Sequence, residues 1–169
     1  MALITNWGVA LSDEYTKTTD LSAPTDRMSL RRAMSLTSGT AAGKADLRFA
    51  DTRTLAASAT EDLDLAGVLT DVYGVALTFV KIKGLYVKAA DANTNNVVIG
   101  NAAATAWAAL LGATGTVTLR PGAAITLTTG QEDATAYAVA AGSTDLLKIA
   151  NSGAGTGVTY DIAIVGTSA

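Results

Sequence analysis

The residues of this sequence whose types could do chemistry are carboxylates. Glu61, Asp62 and Asp64 form its densest acidic cluster, and such a cluster, helped by carbonyls, can hold a hard cation. The same acids alternate with Leu63 and Leu65, however, as on a half-buried strand. Acids on a solvated edge strand discourage sheet-to-sheet association, and that is the reading expected here. Glu132 and Asp133 follow Gly130 and would serve as an acid and base for glycoside hydrolysis if they met the first cluster. Nothing in the sequence brings them together. Asp91, Asn93 and Asn95 imitate the first three ligands of a calcium loop. The sixth position is Asn96 where glycine is required, and the twelfth is Ala102 where glutamate is required. An Asx-rich hairpin turn is expected instead. Gly153, Gly155 and Gly157 lack the flanking strand and helix of a dinucleotide loop, so a flexible loop is expected.

The chain of 169 residues contains no histidine and no cysteine. That removes the commonest general base, imidazole triads, thiolate sites and most zinc, copper and iron sites. No enzymatic activity, cofactor or metal is expected. What remains is charge. Arg27, Arg31, Arg32, Lys44, Arg48 and Arg53 stand against Asp46 and Asp51, a local +4, whereas the chain from Glu61 onward has nine acids and five bases. Arg27, Arg31 and Arg32 would reach phosphate, but no aromatic lies among them to stack a base. With a net charge of −3, nucleic acid is not an expected partner; docking on an acidic protein surface is.

The elements that must position these groups are strands. Ala76–Ala89 is the longest β-prone run, and Val80 and Ile82 alternate with Lys81 and Lys83, so the lysines are expected on the solvent side. Beyond Gly84 the apolar phase moves to Leu85 and Val87. A glycine at such a slip marks a β-bulge or a close backbone approach, unless Tyr86 keeps the even face buried. Short strands are expected around Leu47–Phe49, Val97–Gly100, Thr116–Leu119, Ile125–Leu127 and Tyr137–Val139. Asp145–Ala150 reads as a further strand. Val158, Tyr160, Ile162 and Ile164 share one face of a closing strand. Ala102–Leu111 reads as the one short helix, with Asn101 as N-cap and Gly112 as its stop. Trp7 and Trp107 are expected as packing anchors.

Residues 1–45 read as an N-terminal arm or loosely packed lead-in, with Gly39 and Gly43 as punctuation. After Pro24, a short helix carrying Leu30, Ala33 and Met34 and a strand alternating Met28 with Leu30 fit almost equally. Residues 46–169 are expected to form an antiparallel all-β sandwich, jelly-roll-like, given turn signals every 8–15 residues or so. No run of about 18 apolar residues suggests a membrane span. Met1–Ala10 has no signal-peptide pattern, so synthesis in a cytoplasm without export is expected.

Three passages carry a resemblance: Asp51–Ala56 through Asp62–Leu65, Thr116–Gly122, and Asp145–Gly153 into Tyr160–Ile162. In texture and phrase they resemble small β-sandwich structural proteins of tailed bacteriophages, among them head decoration (cement) proteins. The likeness covers about residues 45–166 and includes no catalytic signature. It implies a non-enzymatic part of a virion with a preference for homotrimers, and leaves capsid, neck and fibre open. The leading expectation is a decoration protein on the capsid surface that binds and stabilises the assembled head. Its partner would be the lattice of the major capsid protein. The capsid-docking residues expected on this reading are Arg27, Arg31, Arg32, Arg48 and Arg53. The competing expectation is a fibre, neck or tail-side module that binds a glycan or protein of the host surface.

Overall fold

The computed structural model describes residues 2–169. It is an all-β, sandwich-like protein. One face is a five-stranded antiparallel sheet of β4 (Leu47–Leu55), β12 (Val158–Thr167) and β6 (Lys81–Ala89), with β9 (Ala124–Thr128) and β10 (Tyr137–Ala138) pairing successive parts of the far edge of β6. The other face is a four-stranded sheet in the order β5 (Thr60–Asp64), β11 (Leu146–Asn151), β7 (Val97–Gly100) and β8 (Thr116–Leu119). Alternation fixes which side of each strand meets the other sheet. Val158, Tyr160, Ile162 and Ile164 of β12 are all buried, as their shared face predicts, and they meet Leu63, Ile99 and Ile149 in one core. Among the described residues no helix is long and apolar enough to cross a membrane.

The phase slip at Gly84 is a bulge. Val165 pairs with Gly84 and Gly166 with Ile82, which leaves Lys83 as the extra residue. Ile82 is buried before the bulge and Leu85 and Val87 after it, so both apolar sets reach the core. Two expectations for this stretch need correction. Val80 is 37% exposed, and Lys83 is 1% exposed. The bulge turns the Lys83 side chain inward, where Nζ donates to the Asp133 carbonyl at 2.8 Å. Desolvation holds its ammonium below the ordinary lysine range.

The helix is shorter than its alanines suggest. It spans only α1 (Ala108–Leu111), ends at Gly112, and has Trp107 at its N-cap with no side-chain capping bond. Asn101 sits instead at φ 58°. Ahead of α1 the chain is pulled into sheet contacts: Ala106 bridges Leu146, and the Trp107 indole donates to the Ala138 carbonyl at 2.9 Å. A few alanines cannot nucleate a helix against such bonds. Trp107 is a packing anchor, buried and edge-on to Tyr137 at 6.4 Å.

Residues 1–45, expected as an arm or lead-in, form a β-hairpin where the structure describes them. β1 (Thr5–Thr16) pairs with β2 (Thr25–Ser38) in unbroken register from Thr5↔Leu36 to Thr16↔Thr25. The strand alternative for Met28–Leu36 is the one adopted. Short β3 (Lys44–Ala45) then runs parallel to the end of β2, and β4 begins the sandwich.

Candidate docking surface

Residues paired directly across an antiparallel ribbon share a face. On the hairpin, one face therefore carries Trp7 and Met34, then Val9 and Arg32, Leu11 and Leu30, Asp13 and Met28, Tyr15 and Asp26. The other carries Gly8 and Ala33, Ala10 and Arg31, Ser12 and Ser29, Glu14 and Arg27. The first face is an apolar stripe with charges near both ends; the second is small and polar.

Only the base of the stripe is covered. Met34 and Leu36 are buried against Ala45 and Val165, with Leu3 and Trp7 packed around them. Gly84 makes the joint possible, because a Cβ there would stand 2.7 Å from the Trp7 ring. The loop after β9 stitches the base down: the Ser35 amide donates to Gln131 Oε1 at 3.3 Å, and the Gly43 amide to the Gln131 carbonyl at 3.0 Å. Beyond the joint, Leu11 is 54% exposed, Leu30 58% and Tyr15 73%. The turn closes with the Lys17 amide donating to the Pro24 carbonyl, and Leu21 at its tip is fully exposed. With twelve paired positions, the ribbon is about 40 Å long at 3.3 Å per residue.

The five arginines expected to dock fall into different settings. Arg31 lies exposed on the polar face. Arg27, also exposed there, pairs with Glu14 at 2.9 Å. Arg32, on the apolar face, reaches back to the Thr129 carbonyl at 3.5 Å. Arg48 is exposed on β4, in the body. Arg53 is committed: Nη2 lies 2.7 Å from Glu61 and Nη1 3.0 Å from Asp51. The hairpin thus gathers Arg27, Arg31 and Arg32, and Arg53 belongs to a separate structural cluster.

That cluster was not legible as such in the sequence. Glu61 sits on the inward phase of β5 and accepts from the Tyr160 hydroxyl at 2.6 Å as well as from Arg53. Burial pushes the Tyr160 phenol well above its usual range, and the Glu61 carboxylate adds to the effect. The Glu61 hydrogen bond holds the Arg53 guanidinium above its ordinary value. Of the other acids in the run, Asp62 faces solvent and Asp64 accepts from the Ala66 amide. β5 is an edge strand, as the alternating acids suggest. Asp133 accepts from the Thr135 and Ala136 amides, so it shapes its own loop.

The Asx-rich turn and the glycine loop clamp one another. Asn93 exchanges two hydrogen bonds with the Thr159 backbone, and Asn95 Nδ2 donates to the Gly153 and Thr156 carbonyls. These amides brace the sandwich end. Comparison with protein-family models, curated proteins and solved structures returned no match.

Proposed function

We propose that this protein is a structural component of a bacteriophage virion, a capsid decoration protein that binds the assembled head and stabilises it without catalysis. The observation that carries the reading is the hairpin: the two longest strands of the molecule leave a well-packed sandwich and project with arginines and apolar side chains uncovered. A ribbon of that length suits a part that reaches across a boundary between neighbouring subunits. The resemblance of residues 45–166 to cement-type proteins points the same way.

In this reading the polar face of the hairpin, with Arg27 and Arg31, meets an acidic patch of the capsid lattice, and Arg48 adds a charge from the body. Binding only the assembled shell stabilises it by RT ln(1 + [L]/Kd), about 4 kcal/mol at a thousandfold excess over Kd. The protein also assembles with copies of itself, as a trimer by analogy with the resembled group. A small core with open sheet edges gains from such self-burial.

The test is attachment to particles lacking this protein, at low and high salt. Wild type should bind in a ratio set by the capsid lattice, and Arg27→Ala with Arg31→Ala should weaken binding most at low salt. Screening explains the salt effect: the Debye length falls from about 10 Å at 0.1 M to about 3 Å at 1 M. Equal attachment of wild type and the double variant at every salt concentration would overturn the role given to the arginines. A few copies per particle would move the protein to the neck or a fibre.

A further inference from the structure

Lys83 is a buried cation that the docking surface does not use, and its place in the sheet is unusual. On the far edge of β6, β9 pairs with Gly84–Lys88 and β10 with Lys81 and Ile82. Lys83, the bulge residue, falls in the gap between them. The segment that joins β9 to β10, residues 129–136, arches over this one position, and Lys83 holds it twice. Its carbonyl accepts from the Thr129 amide at 3.0 Å, and Nζ donates to the Asp133 carbonyl at 2.8 Å. The segment is itself braced. The Asp133 carboxylate accepts from the Thr135 and Ala136 amides, and the Asp133 amide donates to the Gly130 carbonyl. Lifting the segment would leave a buried ammonium without its acceptor unless water entered, and an unpaired buried charge is costly.

The same segment also carries the hairpin. The Ser35 amide donates to Gln131 Oε1, and the Gly43 amide to the Gln131 carbonyl. The Arg32 guanidinium reaches the Thr129 carbonyl, and the Thr129 hydroxyl donates to Met34 Sδ at 3.9 Å. Among the described residues, the hydrogen bonds that join β1 and β2 to residues beyond β4 all end here. The remaining support is the small apolar joint of Trp7, Met34 and Leu36, and Gly84, against which Trp7 packs, directly follows Lys83. We infer that the β9–β10 segment is a latch: seated on Lys83 it fixes the hairpin to the sandwich, and when it lifts the hairpin is released as a unit.

The latch has two states because each of them satisfies the ammonium. Seated, Lys83 is dry and bonded to Asp133. Lifted, water solvates it and Gln131 no longer reaches Ser35. The charges that face Nζ from the segment are those of Asp133 and Glu132, with Lys81 on its own strand. Once released, the hairpin turns about the link between β2 and β3, where Gly39 and Gly43 take φ of 134° and 67°. Hinges absorb such a change at a few residues, and glycine does so at little steric cost. The inference concerns how the hairpin is held, so it is independent of what the hairpin binds.

Amide exchange measured residue by residue on the dilute chain tests it, with Lys83→Met, Gln131→Ala and the two combined. Methionine keeps the length of the buried side chain and removes the donor; Gln131 is exposed, so its truncation leaves the core intact. Lys83→Met should speed exchange at Gly43 and Trp7 by at least about tenfold, as loss of a charged hydrogen bond implies, although Lys83 bonds to neither. Exchange at Ile149 and Ile164 should be no faster than in wild type. With the latch already lifted, adding Gln131→Ala should change exchange at Gly43 and Trp7 little beyond the Lys83→Met value. Wild-type exchange at Gly43 and Trp7 in Lys83→Met would overturn the latch. So would a Lys83→Met chain that loses protection equally at Ile149 and Ile164, or fails to fold, because Lys83 would then brace the core. Effects that multiply in the double variant would show that Lys83 and Gln131 act separately, and would overturn it as well.

Discussion

The hairpin and the sandwich are built from the same element and supported in opposite ways. In the sandwich every long strand has an inner face closed by the other sheet, and twenty-two buried side chains form one core. The hairpin strands are longer and fully paired, yet the cluster at their base contains four buried residues, only two of them from the hairpin strands. Backbone pairing alone is therefore a poor measure of stability. A net hydrogen bond contributes only about 1 kcal/mol, and ordering a residue costs about as much or more. Burial makes the difference, and the distal hairpin has little of it within its own chain.

That contrast can be broken most severely at Phe79. It is buried on the sandwich side and lies close enough to Gly166 that a Cβ there would stand 2.8 Å from its ring. Phe79→Ala should cost about 3–5 kcal/mol of global stability in urea unfolding. A loss below 1 kcal/mol would mean that the core is looser than its burial implies.

Tyr160→Phe probes the buried polar cluster. Losing a hydrogen bond to the Glu61 carboxylate should cost about 1.5–3 kcal/mol near neutral pH. The pH dependence has a definite sign. Because the folded-state pKa of Tyr160 is raised above its unfolded value of 10.0, the native state holds the proton longer than the unfolded state does. Its contribution is fully present below about pH 10 and declines as pH rises further. The urea midpoint of wild type should fall above that pH more steeply than that of Tyr160→Phe. Parallel curves would show that the phenol is not held protonated by the fold.

Gly84→Ala sharpens the boundary between the regions. Its Cβ would displace the Trp7 ring, at a cost of about 1–3 kcal/mol for overpacking. The loss should appear as faster amide exchange at Trp7 and Met34 while exchange in β11 stays unchanged. Uniform acceleration across the sandwich would show that the joint is part of one cooperative unit. The smallest effect is expected at Leu11→Ala, within about 0.5 kcal/mol for the isolated chain, read as an unchanged urea midpoint. A larger loss would mean that the ribbon already has a cover within its own chain.

Much of the sandwich was legible because its strands alternate. The face shared by Val158, Tyr160, Ile162 and Ile164 and the phase slip at Gly84 both follow from a period of two. The helix boundary failed where tertiary bonds at Ala106 and Trp107 overrode alanine propensity. Lys83 failed because a bulge adds a residue that simple alternation assigns to solvent. The hairpin escaped detection as a unit because its strands are far apart in charge and composition, although Trp7, Val9 and Leu11 alternate as plainly as any core strand. The link from Glu61 to Arg53 and Tyr160 depends on which sheet edges face each other, and no local pattern encodes that.

The central claim is that the distal hairpin depends on a partner while the sandwich does not. Native-state hydrogen exchange measured residue by residue, on dilute chain and again at high chain concentration, tests this directly. In the dilute sample, amides of Val9–Tyr15 and Arg27–Arg32 should exchange through local opening at almost no free-energy cost, while those of Leu85, Ile149 and Ile164 approach the global stability. On assembly, protection should rise in the hairpin and stay constant in the sandwich. Distal hairpin amides as protected in the dilute monomer as those of Ile164 would contradict the account.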